Sequence, residues 1–186
     1  MNVLISYLKF WWRSKNEHGV HSPFVFDLVT KCFYERTNHN AHQHLSKQDS
    51  KSKFLYRFGA YFKFNHCFIP DSIDSNHKCA LALETTCIPY NTTDALINSD
   101  VSISKAPSCI YLNSDSLEPH SMKRLIAHCH RDSVIIIKSI RETKQQFEQW
   151  NQLKAFAEIS VSIDTFYWGL LFLRSEQPKE HFTIRL

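Results

Sequence analysis

The chain has 186 residues, 43% of them hydrophobic with 14 Phe and 4 Trp, enough for one folded domain with a true core and too many for a disordered chain. Lys and Arg number 22 against 18 Asp and Glu, a formal charge of +4 without a basic stripe, so charge gives no ground for a nucleic-acid partner. Six singly placed cysteines, Cys32, Cys67, Cys79, Cys87, Cys109 and Cys129, lack zinc or disulfide spacing and read as reduced, buried thiols.

Val3, Leu4, Tyr7, Leu8, Trp11 and Trp12 recur at helical spacing over residues 3–12, and so wide an apolar face predicts a helix packed on the body. Lys9, Arg13 and Lys15 follow this apolar stretch rather than precede it, and no small-residue cleavage site comes after. No run approaches the roughly 20 apolar residues of a membrane span. A cytoplasmic protein without membrane attachment is therefore expected. The Trp11-Trp12 pair could face a membrane or a partner, but aromatic residues on a helical stripe usually enter a core.

Next comes a corner, His18-Gly19-Val20-His21-Ser22-Pro23-Phe24, in which Ser22 is placed to cap and Pro23 to begin a second helix running to about Glu35. His18 and His21 flank it, either as an acid–base pair beside a pocket or, the simpler reading, as rings tied to neighbouring backbone. Residues 37–53 are almost wholly polar and read as an exposed connection between a helical arm, 1–36, and a main domain, 54–186. His39, His42 and His44, with His66, have the chemistry of metal ligands, but a solvated tract offers no fixed geometry, so no metal is expected.

Phe54, Leu55, Phe58, Tyr61 and Phe62 resume helical spacing to about Lys63. Cys67-Phe68-Ile69 reads as a first strand, Ala80 to Leu83 as a helix end, and Thr85 to Ile88 as a second strand stopping before Pro89. Cys109 to Leu112 is a third, followed by a turn and a helix with Met122, Leu125, Ile126 and Cys129 on one face. Val134-Ile135-Ile136-Ile137 cannot alternate in and out, so this strand should be buried on both faces within a parallel sheet. A helix from about Glu142 to Phe156 places Phe147, Trp150 and Leu153 inward, with Ser139 and Glu142 as a capping box. Ile159, Val161 and Ile163 alternate with Ser160, Ser162 and Asp164, and Trp168 to Leu173 returns, so the sheet should end in an antiparallel hairpin. Strands alternating with helices around a buried central run predict a three-layer α/β sandwich.

His18-Gly19-Val20-His21-Ser22-Pro23-Phe24-Val25-Phe26 after an aromatic-rich helix, Ser133 to Ile137, Ile163-Asp164-Thr165-Phe166-Tyr167-Trp168-Gly169-Leu170 to Arg174, and the ending Lys179 to Arg185 together resemble a bacterial family of class I S-adenosylmethionine-dependent methyltransferases. The resemblance covers both ends and the C-terminal half and is poor in the middle. It implies a Rossmann-like seven-stranded sheet with an antiparallel last hairpin, and a cofactor at the carboxyl ends of the first strands. On that alignment the cofactor loop is Ile69-Pro70-Asp71-Ser72-Ile73-Asp74-Ser75, where relatives carry a glycine-rich E-L-G-T-S-x-G segment. The ribose-binding acid would fall near Ile88-Pro89, an Asp-Gly-Asn-His segment is represented only by Asn113-Ser114-Asp115, and an Asp-Asp-Ile-His segment by Lys138-Ser139-Ile140-Arg141.

The vestigial cofactor positions are thus Ile69, Pro70, Asp71, Ser72, Asp74, Asn113, Lys138 and Ser139, and Asp74 can equally cap the next helix. Only three glycines, Gly19, Gly59 and Gly169, occur in the chain, and none serves the close backbone approach such a loop needs. Two cations replacing two carboxylates, at about 6 Å and an effective dielectric near 20, change the field on a sulfonium by roughly 3 kcal/mol per charge. The expectation is a pseudoenzyme: a methyltransferase-like domain without bound cofactor or catalytic residues, acting on another protein or on itself through the 1–36 arm. The alternative is an active methyltransferase binding S-adenosylmethionine in an atypical pocket. A large exposed apolar patch on the arm favours the first, and an open cleft beside Ile69 to Ser75 the second.

Overall fold

Val134–Lys138 (β4) lies in the middle of a seven-stranded sheet, and its side chains alternate between two cores: Val134 and Ile136 on one face, Ile135 and Ile137 on the other. The computed structural model describes residues 3–16, 19–35, 49–98 and 103–186. The other strands are His66–Pro70 (β1), Thr86–Tyr90 (β2), Ser108–Asn113 (β3), Val161–Asp164 (β5), Trp168–Phe172 (β6) and Glu180–Thr183 (β7), in the order β2-β1-β3-β4-β6-β5-β7. Only β6 runs against its neighbours. Helices cover both faces, so the expected three-layer, mostly parallel α/β sandwich is what forms.

The helices are Val3–Arg13 (α1), Pro23–Leu28 (α2), Ser50–Phe62 (α3), Ser75–Ala82 (α4), Thr93–Ile97 (α5), Pro119–His128 (α6) and Lys144–Lys154 (α7). On one face Leu28, Val29, Phe54, Leu55 and Phe58 pack against Tyr111, Trp168 and Phe172, so the second half of the 1–36 arm shares its core with the sheet. On the other, Met122, Leu125, Trp150 and Leu153 meet Ile110, Ile135 and Leu171. Among the described residues no helix is long and apolar enough to cross a membrane.

Several expectations need correction. The apolar stripe of α1 does not enter the core: Phe10 and Ser6 are buried, while Leu4, Leu8, Trp11 and Trp12 are exposed, Trp12 to 88%. Ser22 precedes α2 with Pro23 in the first turn, yet its hydroxyl makes no cap bond, and from Val29 to Phe33 the helix widens into a π turn. Among the described residues no ring bond holds His21, which is exposed; His18 lies outside the described residues, as do His39, His42 and His44. Asp49 caps α3, which starts at Ser50, inside the tract read as a connection; residues 36–48 fall outside the described residues.

Strand β2 runs through Pro89 to Tyr90, which a sheet edge permits because the missing N–H has no neighbour to serve. The capping box of α7 is Thr143 with Gln146, one turn later than Ser139 and Glu142. The expected antiparallel hairpin forms as β5–β6, but β7 adds beyond it at the sheet edge, paired with β5 in parallel. For that reason every residue of β5 is buried, polar ones included: Ser162 Oγ lies 2.8 Å from His181 Nδ1, and Asp164 is salt-bridged to Arg141. All six cysteines are free, but only Cys32, Cys67 and Cys109 are buried; Cys87 and Cys129 are half-buried and Cys79 is exposed.

Candidate functional site

Strand order reverses between β1 and β3: the chain leaves β1 for β2 on one side and returns to β3 on the other. In open α/β sheets a ligand crevice forms at such a point, outside the carboxyl ends of the two strands. Pairing between β1 and β3 covers only His66–Phe68 with Ser108–Ile110, whereas β1–β2 continues to Pro70–Tyr90 and β3–β4 to Asn113–Lys138. The strands therefore part beyond Phe68.

The protein's own side chains occupy the parting. The Tyr90 hydroxyl donates to the Tyr111 carbonyl at 2.7 Å, crossing from the end of β2 to β3. Burial pushes the Tyr90 phenol above its ordinary value, which keeps it neutral and able to donate. Further out, the Asn113 amide donates to Ser72 Oγ at 3.1 Å, joining the loop after β1 to the end of β3. On the opposite face of the sheet His77 Nδ1 lies 3.0 Å from the Tyr111 hydroxyl, and the His77 ring packs 5.2 Å from Trp168. Burial is also the first cause holding His77 below its ordinary value, with Asp74 opposing it.

Of the eight positions inferred for a cofactor, the fold brings four together. Ser72, Asn113, Lys138 and Ser139 line a hollow of about 350 Å³ between the ends of β3 and β4, with Ser114, Asp115, Glu142 and Gln146. Ser139 holds a left-handed conformation, φ 59°, and its amide donates to Tyr167 O at 2.7 Å. The other four do not line the hollow. Ile69 is buried in the core, Pro70 ends β1 beside it, and Asp71 is exposed with its amide donating to Tyr90 O. Asp74 caps α4, accepting from Asn76 N at 2.9 Å and His77 N at 3.3 Å.

The charge reversal expected here is only half present. Lys138 lines the hollow, but Arg141 turns away to pair with Asp164, and two carboxylates, Asp115 and Glu142, share the lining with Lys138. What opposes an adenosyl cofactor is shape and polarity. All eight lining residues are polar, no apolar or aromatic side chain offers a face to a purine, and sites for organic cofactors are mostly apolar. Strand β2 ends at Tyr90, and neither Tyr90 nor Asn91 after it supplies a carboxylate for a ribose. The residues present do not fit the cofactor that the resemblance implies.

Sequence reasoning missed Tyr90, Tyr111 and His77. Their only sequence signal is a polar group set in an apolar strand, as with Tyr111, or directly after a proline, as with Tyr90.

No protein-family description and no curated protein matches this chain. Solved structures similar to it include a methyltransferase from Geobacter sulfurreducens, with 9% identity and a TM-score of 0.46 over 76% of this chain and 92% of that one. A cofactor-bound protein from MTB has 10% identity and a TM-score of 0.46 over 81% of this chain and 95% of that one.

Proposed function

We propose that the chain is a methyltransferase-like domain that no longer binds S-adenosylmethionine and acts as a non-catalytic interaction protein, a pseudoenzyme. The observation that carries this reading is the Tyr90–Tyr111 hydrogen bond, which spans the gap where a nucleoside would have to enter between β1 and β3. The Ser72–Asn113 bond outside it and the absence of glycine from Ile69 to Ser75 support the same reading. Calorimetric titration with S-adenosylmethionine and S-adenosylhomocysteine tests it: no saturable heat is expected, and micromolar affinity for either overturns it.

The interaction half rests on α1. At 100° per residue, Tyr7, Trp11, Leu4, Leu8, Trp12 and Ile5 follow one another around a single uncharged arc, all of them exposed. A contiguous patch of this kind marks a protein contact more often than chance, and the occupant proposed is an apolar surface of another protein. Self-association on sedimentation, abolished by Trp12→Ser, would instead assign the face to a second copy.

One observation favours a second reading. Asp115 and Glu142 give the 350 Å³ hollow a net negative charge against Lys138, which suits the sulfonium of S-adenosylmethionine. Methyl transfer is an in-line displacement governed by positioning, so no nucleophile from the protein is needed. If this reading holds, Asp115→Asn weakens whatever affinity the titration finds.

A further inference from the structure

A cavity of about 510 Å³ lies away from the switch point, beyond the carboxyl ends of β4, β5 and β7, with α1 as one wall and α7 as another. Its floor is a buried ion pair. Arg141, 12% exposed, binds Asp164, 7% exposed, through both carboxylate oxygens, and Asp164 also accepts from Phe166 N at 2.8 Å. That carboxylate is fully engaged and cancels one cation.

Three further cations line the same cavity, Lys9 and Arg13 from α1 and Lys154 from the end of α7, and no carboxylate among the described residues pairs with any of them. Burial holds the Lys154 ammonium below its ordinary value and Arg141 repels it further, with Asp164 in opposition. Gathering like charges is unfavourable unless an anion relieves it. Nearby, the Asn151 amide and the Thr183 hydroxyl have no side-chain partner among the described residues. Phe10 and Phe147 supply apolar walls, the Phe147 ring centre lying 4.1 Å from the Arg141 guanidinium carbon.

We propose that this cavity binds a phosphate monoester, with the phosphoryl group held by Lys9, Arg13 and Lys154 and its organic body resting on Phe10 and Phe147. A dianion suits three cations without a carboxylate partner among the described residues better than a single carboxylate does, and a phosphate ester is close to dianionic above about pH 6. A cavity of this size exceeds what inorganic phosphate fills and lies in the range of small-molecule sites.

The test is calorimetry on the full chain at about pH 7.5, with phenyl phosphate as probe and inorganic phosphate and phenol as comparisons. Phenyl phosphate should bind at one saturable site, roughly tenfold or more tighter than inorganic phosphate, and phenol should not bind. Lys154→Met and Arg13→Gln, each near the surface and compatible with folding, should each weaken phenyl phosphate roughly tenfold. Lys123→Met, exposed on α6 and outside the cavity, should change nothing. Phe147→Ser should bring phenyl phosphate down towards inorganic phosphate. Absence of saturation, equal affinity for the two phosphates, or affinity unchanged in Lys154→Met overturns the proposal. Because S-adenosylmethionine is not a probe here, this result stands apart from the reading of the switch point.

Discussion

Ser22 occupies the N-cap position of α2, yet its Oγ is buried without a hydrogen-bond partner among the described residues, and the helix is started by Pro23 and by Phe26 N donating to the Ser22 carbonyl at 2.8 Å. Replacing a working cap by alanine costs about 1 kcal/mol, whereas removing an unpaired buried hydroxyl costs nothing or stabilises. Denaturant unfolding of Ser22→Ala should accordingly show stability within about 0.5 kcal/mol of wild type or above it, and a loss near 1 kcal/mol would show a cap at work. His77 acts differently. Its folded pKa lies below the ordinary 6.5, through burial first, with Lys138 and Lys51 adding repulsion and Asp74 and Asp49 opposing. The native state then binds fewer protons than the unfolded chain, so the contribution is complete above about pH 6.5 and is lost as pH falls through the folded value. His181 shifts the same way, through burial and then Lys154 and Lys179. The distinguishing measurement is therefore the unfolding midpoint at about pH 7.5 and 5.5 in wild type and in His77→Gln: the variant should lose less on acidification, and equal losses would remove His77 from the account.

Gly169 shows how two elements are locked together. It sits in β6 opposite Ile137 and Asp164, and a Cβ there would come within 2.7 Å of Trp150 Cζ3 and 2.8 Å of Ile140 Cγ2. The glycine is thus required by close approach of α7 to the sheet rather than by a turn, since no glycine here has a positive φ. Trp150 is a rigid, fully buried ring and cannot retreat, so Gly169→Ala should destabilise by about 1–3 kcal/mol, seen as a lower urea midpoint at unchanged slope. At this scale the sequence was most informative where composition left one option. Four β-branched residues at Val134 to Ile137 can only be buried on both faces. Elements without such a constraint were silent: α5 is five residues long, and β7, Glu-His-Phe-Thr, joins through backbone bonds such as Glu180 N to Ser160 O at 2.8 Å. The candidate site was half legible for the same reason. Ser72, Asn113, Lys138 and Ser139 lie at or just after strand ends, where the family resemblance placed them, but the Tyr90–Tyr111 contact depends on where β1 and β3 part, which only the assembled sheet decides.

Across the whole molecule, α1 is the element whose sequence and position disagree most. Periodicity records that a helix face is apolar without recording what covers it, and here the covered side is the narrow one: Phe10 meets Phe166 edge-on at 5.3 Å and lies 5.6 Å from the Arg141 guanidinium carbon. A second tether follows the helix, where Lys15 N donates to Thr183 O at 2.8 Å and bridges Ile184 beside β7. The attachment of α1 therefore runs through Phe10 and the β7 edge, with Tyr7 edge-on to Phe166 at 5.0 Å and the Trp11 ring 5.1 Å from the Arg185 guanidinium carbon, while Trp12 is the most exposed residue of the arc. Two substitutions separate these roles. Phe10→Ala removes a buried ring and should cost about 3 kcal/mol in equilibrium unfolding. Trp12→Ser, although it deletes a larger side chain, should leave stability within about 0.5 kcal/mol, because the indole is already in water. If Trp12→Ser destabilised the isolated protein as much as Phe10→Ala, the indole would be part of the core after all, and the arc would lose its claim to be a surface kept open for a partner.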